Sequence, residues 1–288
     1  MNDELTTVGL IIVTAVSLAV LATAWLGLRR SVQAQRWLII LTAAGCSGLF
    51  LHRWLLVNEG LQPVQAHVDG LLLIAALLGW MVLYLDVRMR LCGLITFASP
   101  VLAIVLLWAI CASLWTLRPF EIHSMLEAVH SIGVYGGGVF VCVAAVGGVM
   151  YLVSQRRLRS KALDDEAGRL PSLEATESMM IRTSAFGFAL LTVGVITGLA
   201  IVSSSESTRL GDGWWHQPKV LGAVMVWVIF AVIMNVRRSS RFRGARAAWL
   251  AICGLFLLLA VFGVVNRLGA SAAIGEAPGP AAVSVEAP

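Results

Sequence analysis

Charge is what this sequence lacks. Of its 288 residues only 13% are Asp, Glu, Lys or Arg, while 59% are hydrophobic. A soluble domain carries about 25% charged residues, and no water-soluble fold of this length hides so much apolar surface. The chain therefore reads as an integral membrane protein. Cysteine is sparse and unpatterned. Cys46, Cys92, Cys111, Cys142 and Cys253 each lie inside an apolar run and none forms C-x-x-C, so zinc binding and thioredoxin-like exchange lack their motif. These thiols read as small buried apolar side chains. A Ser-His-Asp set, a metalloprotease motif and a phosphate-binding glycine loop are also missing. Glu127 and Asp69 stand as isolated acids, for which solvated roles are expected. Catalysis by the chain's own acid–base groups is not expected.

What is there is a series of apolar runs. A spanning helix needs about 20 apolar residues, and eight runs approach or exceed this: 6–28, 37–57, 68–86, 91–115, 130–153, 183–203, 219–236 and 247–266. The first has no basic leader and no small-residue cleavage site, so a retained helix is expected in preference to a signal peptide. A net charge of +5 and a pI near 9.3 could suggest nucleic acid. The basic residues instead sit in short clusters between the runs, as the positive-inside rule requires. Alternate loops hold Arg29, Arg30 and Arg36; Arg88 and Arg90; Arg156, Arg157, Arg159, Lys161, Arg169 and Arg182; and Arg237, Arg238, Arg241, Arg243 and Arg246. The opposite side holds only Arg53, Arg118, Arg209, Lys219 and Arg267. The expectation is eight spans with both termini outside a cytoplasmic membrane. Residues 1–269 would form one polytopic domain and 270–288, "ASAAIGEAPGPAAVSVEAP", a disordered tail.

This topology places all five histidines toward the outer side. His67, His123, His130 and His216 fall in outer loops or at outer helix ends, and His52 in the outer part of the second run. In "PFEIHSMLEAVHSIG", His123, Glu127 and His130 are four and three residues apart, so they share a helical face. Ile122, Met125, Leu126 and Val129 supply an apolar side, which suits a short interfacial helix leading into the fifth span. Trp54, Trp115, Phe120, Trp214 and Trp215 also collect at the outer boundary. An ordinary aromatic belt explains them singly. Yet in "GDGWWHQPKV" the two tryptophans share an outer Trp-rich loop with Gly211, Gly213, His216 and Pro218, and flat rings beside an imidazole make a bed for a flat aromatic ligand. Haem suits such a bed: its iron takes neutral imidazole nitrogen, and its propionates want cations such as Arg53, Arg118 and Lys219.

From residue 211 onward the chain resembles the cytochrome c assembly family, membrane haem-handling proteins of the CcsA, CcmC and HemX type. The family's hallmark is an outer loop of the form G-x-x-W-x-W-D-P-K-E, with which Gly211, Trp214, Pro218 and Lys219 align. The likeness continues through Trp227, the "FRGARAA" around Gly244, Gly254 and "FGVVN" ending at Asn266. Upstream, "LPSLEATESMMIRTSAFGFALLTVGVITG" resembles the family's inner LPxL and Gly-rich helix, and "LEAVHSIGVYGGG" its outer histidine and early tyrosine. "HRWLLVNEGLQPVQAHVDG" is a weaker echo of an Arg-Trp, Pro and acidic-residue pattern. Three motif positions depart: His216 stands for the second Trp, Gln217 for Asp and Val220 for Glu.

The resemblance implies haem b binding and delivery at the outer face, with other cytochrome c assembly proteins and apocytochrome c as partners. His130 matches the family's histidine at the start of a span. His216 is proposed as its axial partner, and His123 and His67 compete for the role. Trp214, Trp215, Lys219, Arg53 and Arg118 would surround the cofactor. A HemX-like regulatory or scaffolding protein with little haem binding is the alternative. A transporter would want charges deep in the membrane, and the runs have almost none. Reporter fusions near residues 35, 165 and 240 are expected to read cytoplasmic and one near 210 external; a cytoplasmic signal at 210 would invert the topology.

Overall fold

The computed structural model describes residues 2–25, 32–57, 67–89, 93–113, 124–160, 172–203, 218–235 and 244–275. The described chain is helical throughout: α1 (Asn2–Trp25), α2 (Val32–His52) with a π-helical turn over Arg53–Val57, α3 (His67–Met89), α4 (Leu94–Ser113), α5 (Met125–Arg159), α6 (Leu173–Ser203), α7 (Pro218–Asn235) and α8 (Ala245–Gly275). Apolar sequence dictates this form, because a chain in lipid must satisfy its backbone N–H and C=O groups internally. Five segments have the length and hydropathy to cross a membrane: Gln33–Leu56, Val68–Met89, Leu94–Ser113, Met125–Arg159 and Leu173–Ile201. The protein is thus an all-α, multi-pass membrane protein. Eight spans were expected; eight helices are described, but the apolar parts of the other three, Thr7–Ala19, Val220–Asn235 and Ala245–Val261, are shorter than a span.

Helix ends depart from the expected boundaries where polar residues carry a helix beyond its apolar run. The short interfacial helix expected before the fifth span is not separate: from Met125 its residues are the first turns of α5. A capping box starts that helix. Ser124 Oγ accepts from Glu127 N at 3.2 Å, and Glu127 Oε2 accepts from Ser124 N at 3.1 Å, satisfying two otherwise orphaned donors. At α6, Ser172 Oγ accepts from Ala175 N at 3.1 Å, so residues 173–182, expected in a long loop, are helical. α8 runs on to Gly275, past the end of its apolar run at 266. Inside α4, Pro100 has no N–H to offer the Thr96 carbonyl; Ser99 Oγ donates to that carbonyl at 2.9 Å.

The helices form two groups of four. Helix α1 packs on α2, α2 on α3, α3 on α4, and α4 back on α1; α5 to α8 close in the same way. α5 joins the groups by packing on α3 and α4 as well as on α6 and α8. Small residues make these contacts possible, since lipid supplies no hydrophobic force between helices and close packing must serve instead. A Cβ added at Gly133 of α5 would lie 2.8 Å from Gly194 N of α6, and one at Gly148 would lie 2.7 Å from the Ala248 carbonyl oxygen of α8. The far end of the first group is tied by Arg36 and Asp86, with Nη2–Oδ2 2.7 Å and Nε–Oδ2 2.9 Å.

Gly148→Ala should therefore lower stability by about 1–3 kcal/mol through overpacking. Gly48→Ala, where nothing lies within 4 Å of the new Cβ, should be neutral or stabilising by about 0.5–1 kcal/mol. Thermal unfolding in detergent checks the contrast; equal effects at both positions would contradict the close α5–α8 contact.

Candidate functional site

The C-terminal end of α2, the N-terminal ends of α3 and α5 and the C-terminal end of α6 meet at one end of the bundle. Their order in the chain follows from the alternation of helix direction. His130 lies on the second turn of α5, on the side that faces α6. Its Nδ1 is 2.7 Å from the Gly194 carbonyl oxygen. A carbonyl only accepts, so this contact suits an Nδ1 that carries the proton; in the neutral ring that leaves the lone pair on Nε2. Nε2 has no hydrogen-bond partner among the described residues. The same carbonyl also receives the Thr197 hydroxyl at 3.1 Å. Gly198, one turn further along α6, leaves room for the ring: a Cβ there would lie 2.8 Å from His130 Cε1 and 3.0 Å from Nδ1. The half-buried imidazole is thus held by backbone at its Nδ1 edge.

On the other flank of α5 the site becomes ionic. The π-helical turn that ends α2 brings Arg53 down onto α3, where its Nε donates to Asp69 Oδ1. The Asp69 side chain has no exposure and Arg53 retains 13%. Tyr135 of α5 presses against Gly70, where any side chain would collide with the phenol ring. His52, the residue before Arg53, has a buried Nδ1 with no hydrogen-bond partner among the described residues. Glu127 serves the α5 cap.

The expectation of a solvated Asp69 is corrected here. A lone α3 would expose that carboxylate at its first turn, but the π-turn changes the course of α2 and covers it with a guanidinium. Arg53, expected to serve a ligand's carboxylate, is already ion-paired within the bundle. Of the other candidates, His67 and Lys219 are described only by their positions in the first turns of α3 and α7. Trp214, Trp215, His216, Arg118 and His123 lie outside the described residues. The pairing of His130 with His216 is accordingly not tested by the fold. Among the described residues no group of three or more His, Cys, Asp or Glu could hold a metal ion.

Gly194, Gly198, Gly70 and the pairing of Arg53 with Asp69 are the site features that sequence reasoning missed. Two carried a legible signal: "GVITG" puts glycines at 194 and 198 and "GVYGG" at 133 and 137, both G-x-x-x-G spacings that mark close helix contact. The ion pair had no such signal, because nothing local in sequence announces a π-turn.

Fold and site together define a polytopic helical membrane protein with a histidine held against a neighbouring helix carbonyl at one end of the bundle. The family model for cytochrome C assembly proteins matches residues 64–269, and the chain belongs to that family. Among its relatives are proteins described as cytochrome c biogenesis protein CcsA. The one from Synechococcus sp. (strain RCC307) is 36% identical over 104 residues, 36% of this chain and 32% of the relative. That from Prochlorococcus marinus (strain MIT 9303) is 33% identical over 121 residues, 40% of this chain and 37% of the relative. The Guillardia theta protein is 33% identical over 97 residues, 34% and 31% of the two chains. The matches thus span about a third of these relatives' length. No solved structure matches.

Breaking the buried pair from one side should cost more than removing it whole. Asp69→Ala is expected to destabilise by about 3–5 kcal/mol, because it strands a buried guanidinium. Asp69→Leu combined with Arg53→Met should recover most of that loss. Unfolding of Asp69→Leu, Arg53→Met and the double variant in detergent gives the coupling; additive effects would contradict the pairing.

Proposed function

We propose that the protein binds haem at the end of the bundle that holds His130 and delivers it in cytochrome c assembly. The observation that carries this reading is the His130–Gly194 hydrogen bond. Ligand histidines commonly donate their second ring N–H to a carbonyl or carboxylate, which fixes the ring and raises its basicity. His130 has this arrangement, with Nε2 as the remaining donor atom. Family membership and the CcsA names of its relatives support the same direction.

In this reading the site faces outward from a cytoplasmic membrane and both termini lie outside. His130 and His216 supply the axial nitrogens, with His123 and His67 as competitors for the second place. Trp214 and Trp215 flank the macrocycle, while Arg118, Lys219 and the outer nitrogens of Arg53 face its carboxylates. Haem b when bound supplies the cargo chemistry: an iron to ligate and vinyl groups for attachment elsewhere. The chain's own residues bind, orient and shield it. Asp69 keeps Arg53 at the mouth of the bundle, and α6 keeps His130 in one tautomer. The fitting partners are other cytochrome c assembly proteins and apocytochrome c.

A second reading rests on Gln217 and Val220, which replace the motif's two acids. They favour a regulatory or scaffolding member that binds little haem. Absorption spectra of detergent-purified protein with added haem separate the two. Wild type should give a low-spin Soret band, lost in His130→Ala and in His216→Ala and retained in His123→Ala and His67→Ala. Substituting both Trp214 and Trp215 by Ala should lower haem content. Absence of a band in wild type would favour the second reading. Loss on changing His130 but not His216 would leave His130 with another partner.

A further inference from the structure

The reactive end of His130 is decided by α6 and not by its own helix. We propose that Gly194 and Gly198 are positioning residues for His130, which set the imidazole's tautomer and seat its hydrogen-bonded edge against α6. This rests on the reading of His130 as a ligand only for its purpose; the device itself is a property of the protein without any cofactor.

Three observations carry it. First, the Gly194 carbonyl is within hydrogen-bond reach of Nδ1, at 2.7 Å, and can take only a proton donor. An imidazole with Nδ1 protonated has its lone pair on Nε2. Second, the carbonyl can approach the ring because α5 and α6 meet backbone to backbone. A Cβ added at Gly133 would lie 2.8 Å from Gly194 N, 2.9 Å from Gly194 Cα and 2.9 Å from the Leu190 carbonyl oxygen. Any larger residue at Gly133 would push α6 away and lengthen the bond. Third, the ring lies over Gly198. An added methyl there would meet Cε1 at 2.8 Å and Nδ1 at 3.0 Å, and would lie 3.7 Å from Nε2. The close contacts fall on Cε1 and Nδ1, so such a methyl would displace the hydrogen-bonded edge, while at 3.7 Å it would only touch Nε2.

Gly198 is therefore costly in its own helix and useful only to a neighbour. A glycine inside a helix is less favourable than alanine. Gly198→Ala should accordingly preserve or strengthen α6 while it dislodges His130, whose ring can swing aside where a backbone could not. A residue that merely packs the bundle would show the opposite pattern, with stability lost and the imidazole unchanged. Thr197 provides a control. Its hydroxyl donates to the Gly194 carbonyl at 3.1 Å and to the Val193 carbonyl at 2.7 Å, so Thr197→Val removes a competing donor without touching the ring.

The test uses full-length protein without cofactor, labelled with 15N-histidine, in detergent at alkaline pH where imidazoles are neutral. Long-range 1H–15N correlation spectra distinguish a protonated ring nitrogen from one bearing a lone pair. One histidine, assigned by its absence in His130→Gln, should show protonated Nδ1 and bare Nε2. Thr197→Val should keep this pattern. Gly198→Ala should lose it, giving an averaged or reversed tautomer, with helicity and thermal unfolding at least equal to wild type. Protonation at Nε2 in wild type would overturn the proposal, as would an unchanged pattern in Gly198→Ala. Haem titration of the same samples bears separately on function. Binding weakened about 10–100-fold in Gly198→Ala is the effect expected of a lost outer-shell partner. A wild type that takes up no haem but shows the predicted tautomer would sink the haem reading and leave the positioning intact.

Discussion

The contact between Gly133 and Gly194 sets the geometry of the rest. With no side chain on either residue, α5 and α6 approach until backbone meets backbone. Helices in lipid are held by such packing and by interhelical hydrogen bonds, so the gain is van der Waals contact along the crossing. The same approach brings a helix carbonyl within reach of His130. Larger residues at this crossing would move α6 outward, and the imidazole would lose both its acceptor and its niche over Gly198. Further along the same two helices, Gly187 sits against Phe140 and Gly147 against Met180, which carries the close packing along the helix pair.

α5 is also the element through which the two four-helix groups meet. His130 looks to α6, while Tyr135 presses onto Gly70 of α3, beside the buried Asp69. The histidine is thus anchored in one group and its helix is wedged against the other. A charged pair in such a place is expensive to bury, because desolvation opposes the Coulomb attraction. It is tolerated here because Arg53 meets Asp69 directly and the carboxylate sits in the first turn of α3, where the helix dipole favours an anion. Intramembrane ionisable groups are rare enough to mark function. Here the pair holds the mouth of the first group beside the helix that bears His130.

The helices were legible because hydropathy reports burial in lipid directly, and each of the eight apolar runs corresponds to a helix. Their ends were not. Ser172 and Ser124 start α6 and α5 through side-chain caps, and Arg156, Arg157 and Arg159 close α5 on its polar side; a hydropathy window registers none of these. The grouping of helices four by four was also hidden, since it depends on which small residues face each other. His130 stood out as a candidate from its place at the head of a span and from the family likeness. Its tautomer was not legible, because Gly194 lies 64 residues away. Asp69 was misjudged for the same reason: its partner arrives through a π-turn in a different helix.

The central claim is that His130, held by α6 through Nδ1, offers Nε2 to haem iron. Electron–nuclear double resonance of haem-loaded, 15N-histidine-labelled protein tests it most directly. The ferric low-spin centre should show a strongly coupled histidine nitrogen that disappears in His130→Gln, together with an exchangeable proton on the remote ring nitrogen. A haem-loaded wild type whose coupled nitrogens are all unaffected by His130→Gln would contradict the claim.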